Sequence, residues 1–236
     1  MTGVNTVHVA SNVWALRFPI VQAYVVRWGS GAALVDSGVA GSEQAVLGAL
    51  RQLGIGPGCR TPLRQIVLTH CHGDHTGSAA VVAAATGAEV LAGLDDAPVI
   101  RGLRPEPTPV LPDFAGELFA AISPSVPPSP PTEVDRELSE GDSLDWGEPA
   151  RILHVPGHTP GSLAVHLPAS RFLFAGDTVA VVGGRPMLGV FNVDRALTVI
   201  AFRRLASLDV DTICAGHREV LVGGADAAMR AAVAAL

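Results

Sequence analysis

Four side chains that can bind metal lie within six residues of one short segment, at His70, His72, Asp74 and His75. They follow an apolar run that is typical of a buried strand, and a glycine marks the turn that ends it. Because side chains alternate faces along an extended backbone, His70 and His72 should point one way and Cys71 the other. Imidazole and carboxylate groups crowded at a strand end suit divalent ions, zinc above all. The segment therefore predicts a metal site, with a histidine-rich surface loop as the alternative.

Three more segments share one arrangement, in which an apolar run is followed by a glycine and then by a residue of a metal-binding type. The residues after the glycine are His158, Asp177 and His217. Glycine lets the backbone come close to a crowded site and adopt unusual dihedral angles. One such case would mean little, but three together with the first segment predict that these side chains converge.

The elements that must position these residues are predicted as short strands up to Asp36 and as alternating strands and helices after it. Strands are predicted at residues 6–10, 12–16, 20–28, 32–36, 66–68, 89–91, 151–155, 163–167, 171–174 and 210–214. Helices are predicted after Ser42, over 79–85, within 114–122, after Asn192 or Asp194 with Leu197, Ile200, Leu205 and Leu208 on one apolar face, and from about Ala225. This alternation indicates an α/β or α+β core in which helices cover sheet.

Two residues near the first motif have two interpretations each. Asp36, at a strand end, is either a turn former or a carboxylate that orients a metal-binding histidine. Cys71, between two candidate ligands, is either a ligand itself or a small packing residue, and its opposite facing favours packing.

Residues 104–131 are rich in proline, which excludes regular helix or central strand over most of the segment. Because the motifs continue on both sides of it, the chain is predicted to be a single domain, residues 1–236, with this segment as an insertion. The insertion would be either a lid above the pocket or a passive surface excursion.

Size, charge and cysteine content narrow the class of protein. The 236 residues, 48% of them apolar, suit one large α/β domain. A net charge of −6 with only 16 basic residues disfavours nucleic acid as a partner. We expect no disulfide framework, no secretion leader and no bilayer-spanning run. These features predict a cytoplasmic protein, without a membrane partner, that acts on a small molecule.

In this order along the chain, the HCHGDH segment that begins at His70 and the three later segments resemble the metallo-β-lactamase superfamily. The Asp36 segment resembles that family's first motif. The resemblance implies an αββα sandwich with a dinuclear metal site at one edge of its two sheets. It also implies that one ion is held by His70, His72 and His158, the other by Asp74, His75 and His217, and that both are bridged by Asp177.

Under this resemblance the chain is expected to be a dinuclear metal-dependent hydrolase. Two divalent ions, Zn²⁺ first and Fe or Mn as alternatives, would acidify a bridging water to hydroxide, which attacks a carbonyl or phosphoryl centre. Asp74 is the expected catalytic residue, because it would orient the nucleophile and pass a proton to the leaving group. Asp36 is expected to lie behind a ligand and orient it.

The branches of the family narrow the reaction without naming the substrate, since one fold hosts many chemistries. The diiron branch usually has Glu where His72 stands, and β-lactamases replace or lack the bridging Asp177. Only one predicted helix follows His217, so we expect no extra helical domain of the kind with which glyoxalase II holds glutathione. The remaining prediction is hydrolysis of a small ester, thioester or lactone. The alternatives are a small-molecule phosphodiesterase, with less support a β-lactamase, and a non-catalytic metal-binding protein.

Overall fold

The computed structural model describes residues 4–111 and 113–236, and within them two sheets form the centre of the fold. The first sheet has seven strands that lie in chain order. They are β1 (Asn5–Ala10), β2 (Val13–Arg17), β3 (Gln22–Trp28), β4 (Gly31–Val35), β5 (Leu63–Leu68), β6 (Glu89–Gly93) and β7 (Arg136–Leu138). Neighbours are antiparallel from β1 to β4 and parallel from β4 to β7.

The second sheet has six strands. They are β8 (Ser143–Asp145), β9 (Pro149–His154), β10 (Leu163–Leu167), β11 (Phe172–Gly176), β14 (Thr212–Ala215) and β15 (Val220–Val222). Their spatial order is β15-β14-β11-β10-β9-β8. Between β11 and β14 the chain forms a separate antiparallel hairpin of β12 (Val179–Val182) and β13 (Arg185–Leu188).

The helices of the described residues lie in the connections between strands and after the last strand. They are α1 (Glu43–Gln52), α2 (Gly73–Thr76), α3 (Ala79–Thr86), α4 (Ala97–Ile100), α5 (Asp113–Ile122), α6 (Arg195–Leu205) and α7 (Ala225–Val233), with a 3₁₀ turn at Ser123–Ser125. None of these helices is both long and apolar enough to cross a membrane.

Three apolar clusters define four layers. One cluster joins the outer face of the first sheet to α1 and α3, and a second lies between the two sheets. The third joins the outer face of the second sheet to α6 and α7. Strands β4, β10 and β11 are buried along their whole length because both faces are covered, and their sequences are correspondingly apolar. The predicted αββα sandwich is confirmed.

Strand direction brings the loops that matter to one edge. Strands β4 and β5 are parallel, and so are β11 and β14. Strand β9 runs parallel to β11, because each is antiparallel to β10. The segments after the carboxyl ends of these five strands lie together at one edge of the sandwich, since their side chains are in contact there. Those after β5, β9, β11 and β14 contain the predicted ligands, and the segment after β4 contains Asp36.

The local predictions had mixed outcomes. The strand before the first motif ends at Leu68 as predicted, after which His70 lies in a bend, His72 has extended backbone directly before α2, and His75 lies in α2. Of the two predicted caps of α6, the structure uses Asp194, whose side chain accepts a hydrogen bond from the Leu197 N–H. The predicted apolar face of α6 was wrong. Leu197 and Ile200 are exposed, at 42% and 63%, because α6 packs through a different set of residues. Its buried residues are Thr198, Ala201, Phe202 and Leu205.

The proline-rich segment contains more regular structure than its composition predicts. Helix α5 lies within it, close to the predicted 114–122. Pro112 lies outside the described residues, as do residues 1–3, so the predictions for 104–131 and for a single domain over 1–236 fall partly outside them.

Candidate metal centre

The seven predicted ligands come together from four loops at one edge of the sandwich. Their donor atoms form overlapping groups in which all atoms lie within 4.8 Å of one another. The groups are His70, His72 and His158; His70, His75 and Asp177; and Asp74, His75 and His217. Two of these groups have the same members as the two predicted ligand sets. Their role as ligands stays a prediction.

The first donor group, His70, His72 and His158, consists of imidazoles alone. His72 Nδ1 and His158 Nε2 are 3.0 Å apart, and the His70 ring packs edge to face against both other rings. Burial, reinforced by the neighbouring imidazoles, lowers the pKa of all three rings. The pKa values of His70 and His72 lie well below the ordinary value, and that of His158 lies below it. At neutral pH these rings are therefore uncharged, which is the form that binds a metal.

The second donor group, Asp74, His75 and His217, contains a carboxylate. Asp74 Oδ2 lies 3.7 Å from His75 Nε2 and 3.4 Å from His217 Nε2. The two imidazole nitrogens are 3.4 Å apart. Burial alone would lower the pKa of His75, but the carboxylates around it, Asp74 first, raise that pKa to about 10. The surroundings of this group therefore favour positive charge.

Asp177 lies between the two donor groups. Its Oδ2 is 3.6 Å from His158 Nε2 and 3.0 Å from His217 Nε2, and its Oδ1 is 3.5 Å from His75 Nε2. Burial would raise the pKa of this carboxyl, but His217 and His75 outweigh it and hold the pKa well below its ordinary value. Asp177 is thus a mostly buried carboxylate that lies close to members of both groups.

Three of the imidazoles, those of His70, His75 and His217, have their outward-facing nitrogen held by a hydrogen bond. His75 Nδ1–H donates to Asp36 Oδ2 at 2.8 Å, and His217 Nδ1–H donates to the Ile20 carbonyl. Thr69 Oγ1 donates to Asp36 Oδ2 at 2.9 Å and lies 3.0 Å from His70 Nδ1, so His70 donates to Thr69. These bonds fix the tautomers and leave Nε2 directed into the centre.

Asp36 has the backbone of a turn former and a buried side chain, and its role behind a metal ligand stays a prediction. The residue has a left-handed backbone with φ of 58°, as a turn former would. Its side chain is 1% exposed and contacts His75 and Thr69. An ionised carboxylate only accepts hydrogen bonds. Three donors satisfy it here, namely the Thr69 N–H, the Thr69 hydroxyl and His75 Nδ1–H.

The donor set fits divalent metal. Two donors about 2.0–2.1 Å from a tetrahedral ion are about 3.3 Å apart, and the four donor separations given above for the two groups run from 3.0 to 3.7 Å. His70 Nε2 and Asp177 Oδ1 are buried and have no hydrogen-bond partner among the described residues. A Cβ atom on Gly216 would lie 2.2 Å from Asp177 Oδ1 and 2.7 Å from His75 Cε1. The fold therefore leaves room at the centre that any side chain at position 216 would fill.

Other candidates from the sequence lie away from the centre. Cys71 is buried in the cluster between the first sheet and its helices, so it packs rather than faces the donors. His8 and His154 bond to the carbonyls of Ser11 and Pro160. None of these side chains belongs to the donor groups found among the described residues.

Sequence reasoning missed three residues near the donors. Asp96 accepts hydrogen bonds from both ligand-bearing loops of the first donor group. Glu106, in the proline-rich segment, has its Oε1 3.6 Å from His72 Nε2. Asn192 is buried, and its side chain raises the pKa of the neighbouring His158 against the larger lowering effect of burial. Only the position of Asp96 directly after a strand and its turn was a signal, and a weak one, because aspartate at such a place is usually a helix cap or turn former.

Residues 16–217 match the family described as the metallo-beta-lactamase superfamily. The chain belongs to that superfamily. Members of that superfamily generally bind divalent metals, and this chain has a candidate site of histidine and aspartate donors.

Two kinds of relative support the assignment, one with higher identity over part of the chain and one with lower identity over nearly all of it. Hydroxyacylglutathione hydrolase of Cereibacter sphaeroides is 35% identical over 158 residues, which are 66% of this chain and 48% of that protein. The chain thus spans about half the length of the hydroxyacylglutathione hydrolases it matches. The probable metallo-hydrolase YflN of Bacillus subtilis is 26% identical over 235 residues, covering 91% of this chain and 86% of that protein.

Solved structures share the fold. Metallo-β-lactamase MIM-1 from Novosphingobium pentaromativorans superposes with a TM-score of 0.70 at 23% identity, over 99% of this chain and 88% of that chain. A metallo-β-lactamase of Cronobacter sakazakii with a HARLDQ motif gives a TM-score of 0.69 at 22% identity, over 92% of this chain and 79% of that chain. At such identity the likeness concerns the fold alone.

Proposed function

We propose that this chain hydrolyses a small ester, thioester or lactone and that it does so with two divalent metal ions, zinc first. The observation that supports this most is the pair of donor groups joined by one carboxylate, Asp177, whose oxygens reach toward both. Sequence relatives named hydroxyacylglutathione hydrolase point to acyl transfer to water rather than to phosphoryl or β-lactam chemistry.

In this proposal the first group, His70, His72 and His158, would hold one ion, Asp74, His75 and His217 would hold the other, and Asp177 would be shared by both. When bound, the ions supply Lewis acidity, which lowers the pKa of water and polarises a carbonyl group. The chain keeps the three imidazoles of the first group neutral by burial and keeps Asp177 ionised, so both kinds of donor are ready to bind.

Asp74 is the residue we propose for proton transfer. Its Oδ2 faces His75 and His217, which leaves Oδ1 as the atom that accepts a proton from the attacking water and returns it to the leaving group. The side chain is 12% exposed, so it is reachable from solvent although mostly buried. Behind it, Asp36 holds the His75 ring in place through Nδ1.

We further propose that the proline-rich segment, residues 104–131, is a lid over this site. Its described part has contacts on both sides of the donors. The contacts join Glu106 Oε1 to His72 Nε2 at 3.6 Å, the Val110 N–H to the Asn192 carbonyl at 2.9 Å, and Thr76 Oγ1 to Ser129 Oγ at 2.8 Å. A segment anchored in this way limits access of water and of large substrates.

A cavity beside the lid suits the acyl part of a small substrate. It has a volume of about 290 Å³, lies between α5, the segment before α6 and α7, and is lined mainly by apolar residues such as Leu188 and Phe191. Its wall is hydrogen-bonded to the loops that contain Asp177 and His158. The Gly189 N–H donates to the Thr178 carbonyl, and the Val193 N–H donates to the His158 carbonyl. The volume is at the lower end of the roughly 300–1,000 Å³ of ligand sites, which favours a short acyl chain.

A substrate panel tests the reaction class. Metal-loaded protein is assayed with nitrophenyl esters from acetyl to octanoyl, with acyl thioesters, lactones, bis-nitrophenyl phosphate and a chromogenic β-lactam. We expect turnover of the acyl substrates to be abolished by a chelator and restored by Zn²⁺. Within the ester series kcat/KM should rise about three- to fourfold per methylene until the cavity is full. Faster turnover of the phosphodiester or the β-lactam than of every acyl substrate would overturn the proposal.

A reversible crosslink tests the lid. The double variant Thr76→Cys/Ser129→Cys places two thiols where hydroxyl groups are 2.8 Å apart. If the segment must move, oxidation lowers turnover about tenfold or more and reduction restores it. The reduced double variant is the control for the substitutions themselves, and equal activity of the two forms would mean that the segment is a fixed wall.

A further inference from the structure

Asp96 is a buried carboxylate that belongs to neither donor group. It lies in the turn between β6 and α4 and is 1% exposed. Although it occupies the N-cap position of α4, its side chain does not cap that helix. A buried carboxylate without hydrogen bonds would be costly, so its acceptors must be satisfied elsewhere.

Three donors from two different loops satisfy it. The Cys71 N–H donates to Asp96 Oδ2 at 2.9 Å, and Thr159 Oγ1 donates to the same oxygen at 2.6 Å. The Gly161 N–H donates to Oδ1 at 2.8 Å. Hydrogen bonds to a charged acceptor are about twice as strong as those between neutral groups.

The positions of these donors connect Asp96 to the metal centre. Cys71 lies between His70 and His72, and Thr159 directly follows His158. A single carboxylate therefore joins the two loops that supply all three imidazoles of the first donor group.

The loop that follows His158 is already packed against the turn that holds Asp96. A Cβ atom on Gly161 would lie 2.3 Å from the Asp96 nitrogen, and one on Gly93 would lie 2.0 Å from the Gly161 carbonyl oxygen. The backbones are thus already in contact, and the hydrogen bonds to the carboxylate prevent their separation.

We propose that Asp96 is a positioning residue that sets the spacing between the His70–His72 segment and His158, and thereby the affinity of the first donor group for its ion. It acts through backbone and hydroxyl groups, without contact to metal or substrate. This inference rests on the proposed metal site, and it concerns one half of that site only.

Metal affinity is the measurement that separates positioning from general stability. Asp96→Asn, which keeps the size of the side chain, and Asp96→Ala are titrated with Zn²⁺ against a chromophoric chelator, and with Co²⁺ followed by its visible absorption. We expect one of the two ions to bind about 10- to 100-fold more weakly, as for other groups that orient ligands, while the second keeps its affinity. The Co²⁺ spectrum should change for that one ion.

Two further variants make the result decisive. Val165→Ala removes a buried side chain from between the sheets, outside these loops, and should lower thermal stability while both affinities stay unchanged. Thr159→Val removes a single hydrogen-bond donor from Asp96 and serves as the test if the Asp96 variants do not fold. We expect this variant to bind the ion of the first donor group about threefold to tenfold more weakly.

The outcomes distinguish this inference from the proposed function. If wild-type protein binds no divalent metal, the proposed function fails with it. If wild-type protein binds two ions and hydrolyses acyl substrates, two results overturn the role of Asp96 alone. One is unchanged affinity in Asp96→Asn and Thr159→Val. The other is a loss that Val165→Ala reproduces.

Discussion

The two halves of the candidate metal centre are built differently. The half made of His70, His72 and His158 contains only imidazoles, whose pKa values are lowered mainly by burial. The half made of Asp74, His75 and His217 includes a carboxylate, and the pKa of His75 is raised to about 10. One half is prepared for metal by exclusion of water, and the other by accumulation of negative charge.

Their support differs in the same way. In the second half Asp36 bonds directly to the ring of a predicted ligand. In the first half Asp96 bonds to backbone and hydroxyl groups of the loops instead. A carboxylate near a metal centre can therefore stabilise it through the orientation of a ring or through the spacing of two loops.

The largest effect is expected where the halves join. Asp177→Ala removes the carboxylate between them, so the protein should lose about one metal ion and at least about 100-fold in turnover. Metal content by elemental analysis and kcat on an acyl ester check this. Asp209→Ala, which removes an exposed carboxylate, is the matched control. Retention of both ions in Asp177→Ala would refute its bridging role.

A smaller and one-sided effect is expected from Asp36→Asn. The amide is uncharged and has one acceptor oxygen in place of the two that serve His75 and Thr69, so the ion of the second half should bind about 10- to 100-fold more weakly. Competitive chelator titration measures both affinities. Partly exposed Asp142, which accepts a backbone N–H in a turn, provides the control variant Asp142→Asn. Equal weakening of the two ions would show that the halves are not independent.

The pH dependence of metal-free protein should show the two halves separately. The raised pKa of His75 contributes stability that is fully present below its ordinary value of 6.5 and is lost as pH rises toward about 10. The lowered pKa values of His70, His72 and His158 act in the opposite direction, because the unfolded chain takes up their protons as pH falls below 6.5. Stability in chelator should therefore be highest near pH 6.5.

Thermal unfolding at a series of pH values, with and without Zn²⁺, measures this. The alkaline loss should shrink in His75→Gln and disappear when zinc is bound, because the ion then replaces the proton, while the acid loss persists in His75→Gln. A melting temperature of the metal-free protein that stays constant from pH 6.5 to 10 would contradict the expected charge on the second half.

The smallest effect concerns Glu106, the lid residue nearest the first half. Its carboxylate is 3.6 Å from His72 Nε2, too far for a hydrogen bond, and its side chain is 53% exposed. Exposed ion pairs contribute at most about 1 kcal/mol, so Glu106→Gln should change kcat/KM by at most about fivefold. Glu117→Gln on the same segment is the control. A loss of 100-fold would place Glu106 among the residues that orient ligands.

Much of the site could be predicted because its donors are marked locally. Three histidines and an aspartate are close in sequence, and glycine directly precedes His158, Asp177 and His217. Glycine was expected there because it lets the backbone come close to a crowded site. This applies at position 216, where a side chain would enter the donor centre.

The failures have one physical cause. The spacing of apolar residues in α6 suggested that Leu197 and Ile200 face the core, but Thr198 and Ala201 are buried instead. A short helix of mixed sequence has more than one plausible apolar face, and contact with the sheet selects among them. Asp96 was missed likewise, since its three donors come from residues 25, 63 and 65 positions away.

The sequence by itself determined the kinds of donor, their place after strand ends and the family they indicate. Only the tertiary structure decided which donors share a group, how far apart they are and which buried groups hold them. Those distances depend on pairing between strands that are remote in the chain, such as β4 with β5 and β11 with β14. Local residue patterns specify which donor residues follow a strand, but the packing of the two sheets determines which other donors they contact.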